Sequence, residues 1–159
     1  MSQMKLSGTN PVLNGLRKQF HGGIMKKYQF TDKVKLSEDG LVLHQIKSLV
    51  DIYYHGVRKG DLGGFIEKEE NLSHDGDAWV AGNAVVFGDA RVSENACVSQ
   101  NACVSNNASI YGDAFIGDDA WISGSVHVCG RSVVCGNAHV SGNVCISGTS
   151  VLSGNARIS

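Results

Sequence analysis

The chain has 159 residues, with 14 Lys and Arg against 15 Asp and Glu, a formal charge of −1. That length holds one domain, or one domain with a small attachment, and excludes a large multidomain protein; the near-neutral total excludes bulk affinity for nucleic acid. Twenty glycines and a single proline point to many turns of one repeated kind.

Residues 1–24 show no periodicity and are read as a basic, flexible extension, with Met25-Lys26-Lys27 resembling a native start. Residues 1–35 carry seven Lys and Arg against Asp32 alone. Short basic arms of this kind are usually solvated, so contact of this one with nucleic acid is not the favoured reading. No run is long enough to cross a bilayer and the start lacks the apolar core of a signal peptide, which makes the cytoplasm the expected location, the host cytosol if a phage encodes the chain.

From residue 25 to 75 we expect a small β-rich cap. Its β-prone runs are Tyr28 to Thr31, Leu41 to Ile46 and Val50 to Tyr54, with Glu38-Asp39-Gly40 as a hairpin turn. Such a cap covers the strand edges that a terminal coil exposes. Ile66 and Leu72 continue the phase of the following repeat backward, at its third place. At the other end Ser159 completes a hexad, so a partner, a second copy or water is expected to cover that edge.

From Gly76 the chain reads as fourteen uninterrupted hexads, from GDAWVA through GDAFIG and DDAWIS to GNARIS. The third place is small, mostly Ala; the fifth is Val, Ile or Leu. Two residues apart on a strand, they point the same way, while the fourth points opposite. The first two places are mostly Gly followed by Asp or Asn, which tolerate left-handed backbone and form corners. Three hexads close one turn, so residues eighteen apart stack at about 4.8 Å and just under five coils rise about 22 Å.

This pattern resembles the hexapeptide-repeat left-handed β-helix, and most closely the bacterial and prophage proteins with G-[DN]-A-x-[VI]-x repeats. The lead-in Gly60-Asp61-Leu62-Gly63-Gly64-Phe65-Ile66-Glu67-Lys68-Glu69-Glu70-Asn71-Leu72-Ser73 is similar to that of such phage-borne chains. The fold class is therefore all-β, a single-stranded left-handed parallel β-helix over 76–159 with a small N-terminal β-rich cap. The hand is implied by the resemblance alone, since the general rule for crossovers would give the opposite one.

The fourth places form three columns, one per face. The first holds Trp79, Cys97, Phe115, Val133 and Val151, an apolar strip of the kind rarely left in water, read as the self-association face of a homodimer or homotrimer; its alternative is cover by the N-terminal segment. The second holds Val85, Cys103, Trp121, His139 and Arg157, and Val85, Phe87, Trp121, His139 and Arg157 are the candidates for binding a macromolecular partner. The third holds Arg91, Ser109, His127 and Cys145.

Catalytic, cofactor and metal sites are not expected. Five cysteines without C-x-x-C or eighteen-residue stacking are read as free thiols. His127 and His139, the coil histidines, lie on different faces. Asp113 stands one coil from Arg131, an exposed ion pair, and the ladder Asn83, Asn101, Asp119, Asn137 and Asn155 is read as corner stabilisation. The expected function is that of a non-enzymatic binding or scaffold protein. The resemblance to phage-borne chains implies inhibition of a bacterial defence system, such as a CRISPR effector, by binding host protein. An acyl-CoA-dependent transferase and a nucleotide sponge are the alternatives.

Overall fold

The protein was analysed as a computed structural model that describes residues 19–21 and 24–159. The expectation of a flexible extension over 1–24 falls mostly outside them. Within them, β1 (Gln19–His21) pairs antiparallel with β2 (Ile24–Lys26).

The repeat folds into a parallel β-solenoid of about five coils. Each hexad contributes a two-residue strand at its fourth and fifth places, from β6 (Trp79–Val80) to β19 (Arg157–Ile158). Partners lie eighteen residues apart, as in Trp79↔Cys97 and Trp121↔His139. Each coil thus satisfies the backbone of the next, and the ladder runs through the corners, where Asp113 N–H donates to Gly130 O at 2.8 Å.

Alternation decides the core. Every third-place and fifth-place residue from Ala78 to Val140 is buried, and burying each Val or Ile contributes roughly 1.5–3 kcal/mol. Where the third place is Ser, the hydroxyl is satisfied locally: Ser132 Oγ donates to Cys129 O at 2.8 Å and Ser150 Oγ to Ser147 O at 2.7 Å.

Corners need a left-handed residue at the first place, and four hexads supply it without glycine: Glu94, Gln100, Asn106 and Asp118, with φ of 58°, 59°, 60° and 54°. That conformation costs about 1 kcal/mol for a side chain. Three of the four offset it with an acceptor turned to the first-place N–H one coil later, a donor the ladder does not use. Glu94 Oε2 accepts from Gly112 at 3.0 Å, Gln100 Oε1 from Asp118 at 2.7 Å and Asp118 Oδ2 from Gly136 at 2.9 Å. The Asn ladder also stabilises corners, with Asn101 Nδ2 donating to Asp119 Oδ1 at 3.0 Å and Asn137 Nδ2 to Asn155 Oδ1 at 3.3 Å.

The cap is an antiparallel extension of the second-face sheet. β3 (Tyr28–Leu36) pairs with β4 (Val42–Ser48) and β4 with β5 (Leu62–Ile66); β5 then joins β7 (Val85–Val86) in parallel, giving an eight-stranded sheet that ends on β19. The Glu38-Asp39-Gly40 turn forms, with Gly40 at φ +81°. Three expectations are corrected. Val50 to Tyr54 is no strand: Ile52 bridges Val57 around a 3-10 turn at Tyr53–His55. Ile66 and Leu72 align with Val86 and Val92, which are fifth-place residues, so they hold the fifth place and not the third. The corner between Leu72 and Trp79 is two residues longer than later ones, and it is there that Lys27 and His74 fasten the cap. The Asp113 carboxylate, finally, is taken by the Tyr54 hydroxyl and the Asn95 amide, each at 3.0 Å, rather than by a contact ion pair with Arg131.

Candidate functional site

The second face carries a groove that the repeat alone does not make. The β3–β4 hairpin curls over the outward side chains of the first coils, burying Leu43 completely and Phe65 almost so. Lys35 pins the hairpin: its Nζ donates to Asn83 O at 3.1 Å and stands 4.3 Å from the centre of the Phe65 ring. Burial lowers the pKa of that ammonium. The turn is closed by hydrogen bonds from Ser37 N–H to Leu41 O at 2.9 Å and from Leu41 N–H to Ser37 Oγ at 3.0 Å.

Beneath the turn lies a cleft of about 670 Å³. Its floor is apolar, made by Val85, Phe87, Cys103 and Trp121. One wall is the polar ladder Asn83, Asn101 and Asp119, and the roof is Leu36, Glu38 and Asp39. A second hollow of about 330 Å³ shares Trp121, Ser123 and His139 with the first and runs on to Arg157 and Ser159. The two form one groove along the solenoid axis.

Trp121 stands where the hollows meet and is 42% exposed. Its position is set by the ladder, between Cys103 and His139. His139 meets the indole in a tilted edge contact with ring centres 5.2 Å apart, which limits the rotamers open to the tryptophan. An exposed aromatic held in place beforehand loses little entropy on binding. Burial, with Glu38 and Asp39 adding to it and Lys35 opposing, pushes the Cys103 thiol up to about 11, which keeps it in the neutral thiol form near neutral pH.

All five candidates Val85, Phe87, Trp121, His139 and Arg157 line this groove. Lys35, Leu36, Glu38 and Asp39 were not singled out from the sequence. The Glu-Asp-Gly turn signals a hairpin, but nothing local says which face the hairpin covers.

The first face differs from expectation at its upper end. Trp79 is 2% exposed and packs in the core cluster with Ile46, Val50 and Ile52 of the cap. The cap also grips the neighbouring corner, where Tyr54 Oη donates to Asp113 and His55 Nε2 lies 2.9 Å from Asn95 O. The strip that remains is Cys97, Phe115 and Val133, half-buried, and Val151, 64% exposed. Phe115 lies back across Gly117, where an added methyl would come within 2.5 Å of the ring.

On the third face His127 meets Tyr111 edge-on at 6.3 Å, and Arg91 and Cys145 are exposed. His127 and His139 are not brought together. Among the described residues, no group of three or more His, Cys, Asp or Glu is placed to hold a metal ion, and no helix is long and apolar enough to cross a membrane. No family model and no curated protein matches this chain.

Proposed function

We propose that this protein is a binding module that holds a macromolecular partner, a protein of a bacterial host, in the second-face groove, with Trp121 as its anchor. The observation that carries this reading is the exposed indole fixed at the junction of two hollows on a backbone whose every coil is hydrogen-bonded to the next. Anchors of this kind concentrate binding energy, with truncation costing about 2 kcal/mol or more. The resemblance to phage-borne solenoids makes a host defence complex, such as a CRISPR effector, the first partner to test. We assign the remaining first-face strip to contact with a second copy.

The test is a photo-cross-linking residue in place of Trp121 in bacterial cells, with Arg91 on the third face as the control position. A discrete adduct from position 121 alone supports the reading; equal labelling from both positions, or none, rejects it. The acyltransferase alternative is separated by incubation with acetyl-CoA, which stabilises a true acyl-CoA enzyme against heat by mass action.

A further inference from the structure

We infer that the second-face groove takes an extended polypeptide segment that places a lysine or arginine at the hairpin end and a bulky apolar side chain on Trp121. This rests on the binding reading above and names its ligand class.

Length comes first. The column Val85, Cys103, Trp121, His139 and Arg157 is stacked in register by the parallel ladder. At about 4.8 Å per step it spans about 19 Å, the reach of about six extended residues. The groove is open along this line, so it suits a linear chain and not a compact ligand.

Charge supplies the polarity. Glu38, Asp39 and Asp119 all line the hairpin end, and all three are exposed. None makes an ion pair among the described residues; the ion pairs present join Lys26 and His74 to Glu69, and Lys68 to Asp89. Lys35, the cation of the cleft, is committed to Asn83 O and the Phe65 ring. The cleft therefore presents three carboxylates without a cationic partner beside its apolar floor, Glu38 and Asp39 from the turn and Asp119 from the ladder, where it also accepts from Asn101 Nδ2 at 3.0 Å. A cationic side chain entering there gains charge-assisted hydrogen bonds to these carboxylates. A nucleic acid would be repelled by the same groups.

The wall completes the match. Asn83 and Asn101 are exposed amides one coil apart on the groove's polar side. Within the ladder Asn83 Nδ2 stands 3.5 Å from Asn101 Oδ1 and Asn101 Nδ2 donates to Asp119 Oδ1 at 3.0 Å, which leaves the second proton of each amide and a lone pair on each oxygen for the main chain of an extended peptide, whose own N–H and C=O groups would otherwise lose water.

The full chain would be screened against an immobilised positional library of end-capped hexapeptides, and the best sequence then measured by fluorescence anisotropy. We expect enrichment of Lys or Arg at one position and of Trp, Phe or Leu within a few residues of it. Trp121→Ala should weaken that peptide by about 30-fold. The double variant Glu38→Gln with Asp39→Asn, both in an exposed turn, should weaken it by about tenfold and flatten the dependence on salt. Enrichment of apolar or acidic peptides without a basic residue overturns this inference, as does Trp121-dependent retention of an oligosaccharide on a glycan array. In either case a position-121 cross-link to a host protein leaves the binding reading standing. Loss of both the peptide signal and the cross-link removes both.

Discussion

The ammonium of Lys27, wholly buried, donates to the carbonyl oxygen of Ala78 at 2.7 Å, with that of Gly76 at 3.2 Å. The cap is thereby fastened to the lengthened corner that opens the first coil. Beside it Tyr28 Oη donates to Leu72 O at 2.8 Å. Burial, with Glu69 and Glu70 adding to it, keeps that phenol protonated far above neutral pH.

Lys27→Met keeps the length of the side chain and removes its donors, leaving two carbonyls short of a partner. We expect a loss of about 2 kcal/mol or more in urea unfolding. An unchanged midpoint and slope would show that the corner does not depend on the ammonium.

Acid should loosen the cap before it affects the coils. His74 lies flat on Tyr28 with ring centres 4.2 Å apart, accepts the Lys27 N–H on Nδ1 at 3.0 Å, and faces Glu69 Oε2 with Nε2 at 3.1 Å. Burial holds its pKa below the ordinary value although Glu69 pulls the other way, and burial does the same to His55. The unfolded chain therefore binds these protons first, so their contribution is complete above pH about 7 and is lost as pH falls through about 6.5 and below. Burial also opposes the charge of Glu69, but hydrogen bonds from Lys26 and His74 outweigh it and depress that pKa, so its contribution disappears at lower pH still. The urea midpoint should be flat down to about pH 7 and lower at about pH 5.5, and His74→Gln should reduce the drop. A midpoint that rises on acidification contradicts this account.

Gly63 is a close contact between cap and solenoid. A methyl there would meet Val80 O at 2.5 Å, Ile46 Cγ1 at 2.7 Å and Trp79 Cζ2 at 2.8 Å. Gly63→Ala should cost about 2 kcal/mol or more by overpacking. Gly148→Ala, at φ +69° with open space around it, should cost only the backbone strain of about 1 kcal/mol. Equal losses at the two sites would falsify the packing argument.

Thiol labelling should follow burial. Desolvation raises Cys97 and Cys103 each to about 11, while Cys145 is exposed. In timed alkylation near neutral pH read by mass spectrometry, Cys145 should react first and Cys97 and Cys103 slowest. A bound peptide should slow Cys103 further, because it lies in the cleft floor.

Phe115→Arg places a charge in the middle of the remaining first-face strip. We expect the wild type to scatter light as a dimer or trimer and the variant as a folded monomer. A monomeric wild type would reject self-association through this face.

The sequence by itself determined the solenoid. A strict hexad with small and branched residues two apart dictates which side chains turn inward, because strand alternation is a local rule, and every such residue from Ala78 to Val140 is buried. It likewise placed Val85, Trp121, His139 and Arg157 in one column. Only the tertiary structure decided what covers each column. Trp79 and Phe115 occupy equivalent places in the repeat, yet one is in the core and the other half-buried, because apolar residues of the cap cluster with Trp79, whereas Tyr54 of the cap meets the third coil at the Asp113 corner. The same is true of the groove: Lys35 meets Asn83, 48 positions further along the chain. A contact that depends on how a hairpin curls over a distant sheet leaves no period in the chain. The coil positions were legible because each repeats its neighbour's environment; Glu38, Asp39 and Lys35 were not, because each occurs once and takes its role from a surface built elsewhere.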